Sequence, residues 1–265
     1  MNDAHYYQYA FAQTDCRTQD IGPGVDPRFD VELVCCGPIA AVVSRVGLDR
    51  FDVEKFQGKT AEDISWLNQV AIRHNEIITL AAGSSPVLPL RLGTIFWSRD
   101  SLLDTMEGRR ETIVDFFSTL GDRREWGVKL YLQKPHVEEA DDHMSSSPSD
   151  NASAAVSGTA YLKRKSDQLR RRRELHSGLQ QEIQGVEQQL KIQADRCCRV
   201  RSLPAGLTGH LEKMVFNAAY LLPPAEVETW LATVEQIRDA VRRKGLLLEV
   251  SGPWPPYHFC PEFNL

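Results

Sequence analysis

The residues that could carry chemistry in this chain are scattered, and their spacing fits no known catalytic or metal-binding pattern. Six cysteines are present, including the adjacent pairs Cys35-Cys36 and Cys197-Cys198, but none forms a C-x-x-C pair and no histidine spacing completes a zinc site. The phosphate-loop, dinucleotide-binding, metalloprotease and nucleophile-elbow motifs are absent from the sequence. We therefore predict no catalytic residue, no cofactor and no metal site, and reduced cysteines that pack as small apolar side chains.

Two single residues stand out by their positions on predicted elements. His74 lies on the apolar stripe of a predicted helix, either as a proton acceptor or, as is more common, as a core residue with hydrogen-bonded ring nitrogens. Arg91 lies in the middle of a predicted strand, where its charge must be solvated or paired because unpaired burial is costly. Glu32 and Glu76 are its candidate partners; otherwise Arg91 contacts the second domain or another protein.

A basic run on a predicted helix could bind nucleic acid. It comprises Lys163 to Lys165 and Arg170 to Arg173, and Leu162 and Leu169 keep helical register with it, which favours a solvated helix face. The chain as a whole carries a formal net charge of −5, which argues weakly against a general nucleic-acid binder.

Aromatic residues mark the two ends of the chain. Tyr7, Tyr9 and Phe11 alternate onto one face of a predicted strand, where we expect core packing rather than base stacking. The stretch from Gly252 to Phe259 is rich in proline and can join a sheet only at an edge. Its Trp254 and Tyr257 are either packed on this chain or available to a partner.

Length and composition predict a soluble protein of one large or two modest domains. The chain has 265 residues, of which 42% are hydrophobic and 25% charged. No apolar run approaches the roughly 18–20 residues that span a bilayer, and the first residues lack a secretion signal, so we expect a cytoplasmic location. Residues 137–159 are acidic and rich in serine, which indicates a linker between domains at 1–136 and 160–265.

The first domain is predicted to be an α+β fold. Strands are predicted at Tyr6–Ala12, Val31–Cys36 and Ile39–Val46, with a hairpin turn at Gly37-Pro38 between the last two. They precede a helix that a Thr60–Asp63 capping box begins and Gly83 ends. A strand at Val87–Trp97, a helix carrying Leu102 to Leu120 and a strand at Trp126–Leu132 follow. This order predicts a sheet with helices on one face, close to the ferredoxin-like type.

The second domain is predicted to be an α/β fold that begins with one long helix. Six residues recur every seven positions from about 160 to 200: Leu162, Leu169, His176, Ile183, Leu190 and Cys197. Such a helix either projects or breaks near Gly178 or Gly185. A strand at Leu211–Leu222, a helix that ends at Lys244-Gly245 and a strand at Leu246–Val250 complete the prediction.

Several stretches of the chain together resemble the gas vesicle protein F/L family, GvpF and GvpL. Residues 86–96 resemble the family's PLRFGT signature, with Leu92 where phenylalanine is more usual. The other matching stretches, in order, are His74–Ile78, Glu125–Lys129, Gly158–Leu162, Asn217–Leu221 and Gly252–Tyr257. The resemblance therefore covers both predicted domains.

The resemblance implies a non-enzymatic accessory protein without cofactor or metal, located in the cytoplasm in association with gas vesicles. Its implied partner is the small, apolar shell protein GvpA, along with other accessory proteins of the vesicle, and its implied role is to assist nucleation or to prevent aggregation of shell subunits. We predict that Arg91, Trp254 and Tyr257 contribute to the binding surface, because they fit an ordinary solvent-facing role poorly. The alternative is a ferredoxin-like regulatory or RNA-binding module that uses the basic helix at 163–173.

Overall fold

A computed structural model describes residues 4–47, 51, 60–133, 158–202 and 212–262. The predicted α+β class is confirmed, because these residues form a mixture of helices and antiparallel sheets. In chain order the elements are β1 (Ala4–Gln13), β2 (Val31–Cys36), β3 (Ile39–Gly47), α1 (Ala61–Ala82), β4 (Val87–Pro89), β5 (Ile95–Phe96), α2 (Arg99–Leu120), β6 (Arg124–Leu132), α3 (Gly158–Lys191), β7 (Arg196–Arg199), β8 (Lys213–Leu222), α4 (Pro224–Arg242) and β9 (Leu246–Trp254).

The first sheet has the strand order β2-β3-β1-β4, and β5 also pairs with β1. The hairpin predicted at Gly37-Pro38 is present: Cys36 pairs with Ile39, and Gly37 has a φ of 61°, a left-handed conformation that favours glycine. The capping box at Thr60 and Asp63 is also confirmed as the start of α1. Turn and cap residues therefore mark these boundaries in the sequence.

A β-bulge in β1 changes which side chains share a face. The register with β3 shifts between Gln8 and Ala10, so Tyr9 is the extra residue. Tyr7, Tyr9 and Ala10 consequently belong to one core cluster. Phe11 lies on the opposite face, where it pairs with Leu88 of β4 and is fully buried. The prediction that Tyr7, Tyr9 and Phe11 share a face is therefore wrong for Phe11.

The first sheet is covered by a helix on each face rather than by both helices on one face. The core cluster of one face contains buried residues of α1, among them Val70, Ile77 and Ile78, and none of α2. Helix α2 contacts β1, β2, β3 and β4 with its own buried residues, which are Leu102, Met106, Ile113, Phe116, Phe117 and Leu120. Strand β3 is accordingly buried at nearly every position, as a strand covered on both faces must be.

The strand predicted at Val87–Trp97 is interrupted. It forms the short strands β4 and β5, with a turn between them in which Thr94 N–H donates to the carbonyl of Arg91 at 3.3 Å. Gly93 has a φ of 86°, which a β-strand cannot accommodate. Arg91 therefore lies in a turn, and its predicted position in the middle of a strand is wrong.

The second sheet has the strand order β7-β8-β6-β9. Strand β6 belongs to this sheet, although the order of elements in the sequence placed it in the first. Helix α3 is continuous through Gly178 and Gly185, buries Ile183, Val186 and Leu190, and ends at Lys191. Cys197, which the seven-residue repeat placed on the helix, lies in β7.

Long-range contacts divide the chain into two compact units. One comprises Met1–Trp126, Leu221–Pro224 and Ser251–Leu265, and the other comprises Gly127–Tyr220 and Ala225–Val250. Of the predicted linker at 137–159, residues 137–157 lie outside the described residues, so the predicted domain division stays a prediction. Across the part of the chain that the structure describes, no helix is long and apolar enough to cross a bilayer.

Candidate functional site

The first unit contains a groove with a volume of about 970 Å³. Three parts of the chain form most of its lining. Helix α1 contributes Ala71, His74 and Asn75. The stretch from the last residue of β4 through β5, which we call the 89–96 turn, contributes all of its residues. The C-terminal segment, which we define as residues 251–262, contributes Tyr257, Cys260, Pro261 and Glu262. Thr105 of α2 completes the lining. Arg91 and Tyr257, two of the three predicted binding residues, lie on this groove.

A buried hydrogen-bond network fixes the 89–96 turn. The backbone N–H of Gly93 donates to the hydroxyl of Tyr7 at 3.0 Å, and that hydroxyl lies 3.0 Å from His74 Nδ1. His74 Nε2 lies 3.2 Å from the carbonyl oxygen of Leu90. If Nε2 carries the proton, all of these contacts are satisfied: Nε2–H donates to Leu90, and Nδ1 accepts from the hydroxyl of Tyr7. The network therefore ties both ends of the turn to β1 and α1.

The network requires a neutral histidine and a protonated tyrosine, and burial favours both. Burial lowers the pKa of His74 to about 4, more than the hydrogen bond to Leu90 raises it. Burial also raises the pKa of Tyr7 well above its ordinary value, against the opposing effect of the Gly93 hydrogen bond. His74 is thus a hydrogen-bonded core residue, which was the more common of the two interpretations of its position in the sequence.

Arg91 is exposed to solvent on this fixed turn. Neither of its two candidate partners reaches it, since Glu32 lies 3.8 Å from Arg45 and Glu76 lies 3.1 Å from Arg73. Among the described residues, the side chain of Arg91 forms no ion pair. Its carbonyl oxygen accepts from the Thr94 hydroxyl at 2.8 Å, which holds the backbone of the turn beneath it.

Side-chain hydrogen bonds connect the C-terminal segment to other parts of the first unit. The hydroxyl of Tyr257 donates to Asn75 Oδ1 at 2.9 Å. Glu125 is buried and accepts from the backbone N–H of His258 at 2.9 Å, and its other oxygen lies 2.6 Å from His258 Nδ1. Gly252 passes so close to Glu125 that an added Cβ would lie 2.9 Å from the carbonyl oxygen of that residue. Glycine is therefore required where the segment begins.

Three ionisable groups of the C-terminal segment, His258, Tyr257 and Cys260, have raised pKa values. The hydrogen bond with Glu125 raises the pKa of His258, and burial opposes this effect only in part. Burial raises the pKa of the Cys260 thiol to about 12 and also raises the pKa of the Tyr257 phenol. A protonated thiol is a poor nucleophile, so Cys260 is not activated for covalent chemistry.

Trp254, the third predicted binding residue, does not line the groove. It stands at the end of β9 with 43% of its surface exposed, and its Nε1–H donates to the hydroxyl of Ser251 at 3.2 Å. Sequence reasoning missed Asn75, Glu125 and His258, although each lies within or beside a stretch that carries the family resemblance. Within the described ranges, no cluster of three or more His, Cys, Asp or Glu residues could hold a metal ion.

The chain is similar to known proteins over nearly all of its length. Residues 5–261 match the family described as gas vesicle synthesis protein GvpL/GvpF. The chain is 29% identical to gas vesicle protein L of Streptomyces sp. over 228 residues, which cover 84% of this chain and 80% of that protein. It is 24% identical to gas vesicle protein F of the same organism over 245 residues, which cover 88% and 89% of the two chains. Its fold is similar to the crystal structure of GvpF from Anabaena sp., with a TM-score of 0.65 and 20% identity over 98% of each chain.

Proposed function

We propose that this chain, which belongs to the gas vesicle synthesis protein GvpL/GvpF family, is an accessory protein that binds the shell protein GvpA and assists vesicle assembly. In this role it keeps shell subunits from aggregating or helps them nucleate, and it acts in the cytoplasm in association with gas vesicles. It transforms no substrate. Other accessory proteins of the vesicle are further proposed partners.

The observation that carries the proposal is the groove, where Arg91, which has no ion pair among the described residues, stands on a hydrogen-bonded turn beside apolar side chains. Leu92, Ile95 and Phe96 are half-buried in its lining, so each retains apolar surface that a partner can cover. The hydrogen bonds of the 89–96 turn hold these side chains in place before binding, which reduces the entropy that a partner must overcome. A preorganised, partly apolar groove suits a protein partner.

The surface of the shell protein explains why it needs such a binder. Subunits that assemble into a protein shell present apolar surface and strand edges, and both aggregate unless they are covered. A binder that covers one of these surfaces competes with aggregation without preventing regulated assembly. We assign Arg91 and Tyr257 to the groove as binding residues, and Trp254 to a second contact outside it.

Capture of purified GvpA by the immobilised full chain tests the proposal. We expect the wild-type chain to retain GvpA, and the double variant Arg91→Glu with Trp254→Ala to lose most of this capture. The double variant Arg99→Glu with Ile192→Ala is the matched control, since both of its residues are exposed. Circular dichroism and thermal unfolding establish that the variants remain folded. Equal capture by the two double variants would remove these residues from the binding surface, and no capture by the wild type would refute GvpA binding.

The same preparation distinguishes the alternative of an RNA-binding module. Binding through phosphate contacts weakens steeply between about 50 and 200 mM salt, because each contact releases counterions. We expect GvpA capture to tolerate this change. Salt-sensitive RNA binding that is lost when Lys163 and Lys165 are replaced by glutamine would favour the alternative instead.

A further inference from the structure

The groove presents exposed hydrogen-bond donors on Arg91 and Asn75. The guanidinium of Arg91 has five N–H groups and no ion-pair partner among the described residues. Asn75 faces the same groove, and its Oδ1 already accepts from the hydroxyl of Tyr257. The amide Nδ2 of Asn75 is therefore left as a donor. Two exposed donor groups that share one lining favour a ligand with an acceptor, and one of them carries a full positive charge.

Apolar side chains on the same turn indicate that the acceptor group belongs to a larger, partly apolar ligand. Leu92, Ile95 and Phe96 lie within five residues of Arg91 in the sequence, and all three are half-buried in the lining. A small free anion would satisfy Arg91 but would leave these side chains uncovered. A peptide segment that carries a carboxylate between apolar side chains matches both parts of the lining.

We propose that the groove binds a segment of the partner protein in which an aspartate or glutamate is flanked by apolar residues, with the carboxylate received by Arg91 and Asn75. This inference rests on the proposed function, because it takes the shell protein as that partner. The arginine and the carboxylate pair through a two-pronged hydrogen bond, which the planar guanidinium allows and a lysine does not. The carboxylate sets the register of the bound segment, and the apolar contacts supply additional affinity.

Substitution of Glu262 provides a second test, in which binding should change in the opposite direction. It is the single carboxylate among the lining residues that the structure describes, and it is exposed. A negative charge in the lining repels a second carboxylate. Removal of the Glu262 charge therefore strengthens binding of an acidic segment, whereas removal of the Arg91 charge weakens it.

Synthetic peptides provide the probe. Overlapping twelve-residue peptides that cover the shell protein sequence are made in their natural form and with every Asp and Glu replaced by Asn and Gln. Binding to the purified full chain is measured by fluorescence anisotropy. We expect at least one acidic peptide to bind about tenfold more tightly than its amide counterpart, which is the scale of one charge-assisted hydrogen-bonded pair.

Four variants of the chain test which residues cause the preference for acidic over amide peptides. Arg91→Gln abolishes the difference between the acidic and amide peptides, Arg91→Lys retains part of it, and Glu262→Gln increases it. Arg99→Gln is the matched control, because Arg99 is also an exposed arginine without an ion pair among the described residues, and it leaves the difference unchanged. Unchanged thermal unfolding of Arg91→Gln establishes that the loss is not caused by misfolding.

Capture of intact shell protein distinguishes failure of this inference from failure of the proposed function. If the wild type and Arg91→Gln capture it equally, or if no acidic peptide binds more tightly than its amide counterpart, the inference is overturned while the proposed function stands. If the wild type captures no shell protein, the proposed function fails. A preference for acidic peptides that persists in Arg91→Gln also overturns the inference.

Discussion

The two main parts of the groove lining, the 89–96 turn and the C-terminal segment, are held in place by different kinds of interaction. The turn is tied to β1 and α1 through His74 and Tyr7, which are buried and uncharged. The C-terminal segment is tied down by Glu125 and His258, an ionisable pair whose histidine is partly exposed. One part is thus fixed by neutral hydrogen bonds inside the core, and the other is held by a contact that responds to pH. The two parts of the lining should therefore lose their contacts under different conditions.

The largest effect is expected from removing His74. His74→Ala leaves the hydroxyl of Tyr7 and the carbonyl of Leu90 without their buried partner and creates a cavity, so we expect the free energy of unfolding to fall by about 3 kcal/mol. Urea denaturation monitored by circular dichroism measures this change. His176→Ala, at an exposed position of α3, is the control and should change stability by less than about 0.5 kcal/mol. Equal effects of the two substitutions would show that the network does not hold the turn.

A smaller loss of stability is expected when the contact that holds the C-terminal segment is weakened. Glu125→Gln removes the charge that His258 contacts but keeps the shape of the side chain, so we expect a loss of about 1–2 kcal/mol. Hydrogen exchange should rise in residues 255–262 and stay unchanged in residues 89–96. Glu111→Gln, at an exposed position of α2, is the control. Increased exchange in both parts of the lining would mean that they are not independently held.

The two histidines should respond to pH in opposite directions. The pKa of His74 is about 4 in the folded chain, below its ordinary value of 6.5, so its contribution to stability is complete above pH 6.5 and is lost as the pH falls toward 4. The pKa of His258 is raised, so its contribution is complete below pH 6.5 and is lost as the pH rises through the raised value. NMR titration of the histidine side chains checks both directions. Titration of His74 near pH 6.5 would contradict its buried, neutral state.

The smallest effect concerns the reactivity of Cys260. Burial raises its pKa to about 12, and its thiol donates to the carbonyl of Pro256 at 3.0 Å, so we expect slow alkylation at pH 8. Cys35 is exposed and serves as the internal reference. Mass spectrometry of peptides after timed iodoacetamide treatment measures both rates. Glu125→Gln should accelerate alkylation of Cys260 without affecting Cys35, because the Glu125 charge also raises the pKa of Cys260 and its contact with His258 holds the C-terminal segment in place.

The predictable parts of the fold are those with local signals. The hairpin at Gly37, the cap at Thr60 and the helix that carries Leu102 to Leu120 depend on residues close together in the sequence, and all are confirmed. The interruption at Gly93 was missed because the apolar alternation continues through it. A bulge at Tyr9 and the pairing of β6 in the second sheet depend on partners far away in the sequence, which alternation within one strand does not report.

The groove was predictable only in part for the same reason. Arg91 and Tyr257 were identified as poor fits to a solvent-facing role, but their common location depends on a contact between Tyr257 and Asn75 across most of the chain. Glu125 and His258 lie within or beside stretches that carry the family resemblance, but their own chemistry indicates no site, since an acid beside a tryptophan and a histidine near prolines have many uses. Long-range side-chain pairs, rather than motifs, bring this site together.

Site-specific photo-crosslinking tests the central claim most directly, because it reports contact rather than affinity. A benzophenone amino acid is placed at Leu92 in the groove, or at Ile192, which is 82% exposed and outside it. After irradiation with purified GvpA, we expect a crosslinked product from position 92, little from position 192, and loss of the product when Arg91→Glu is added. Equal crosslinking from both positions, or a product at position 92 that Arg91→Glu does not reduce, would contradict binding of the shell protein in the groove.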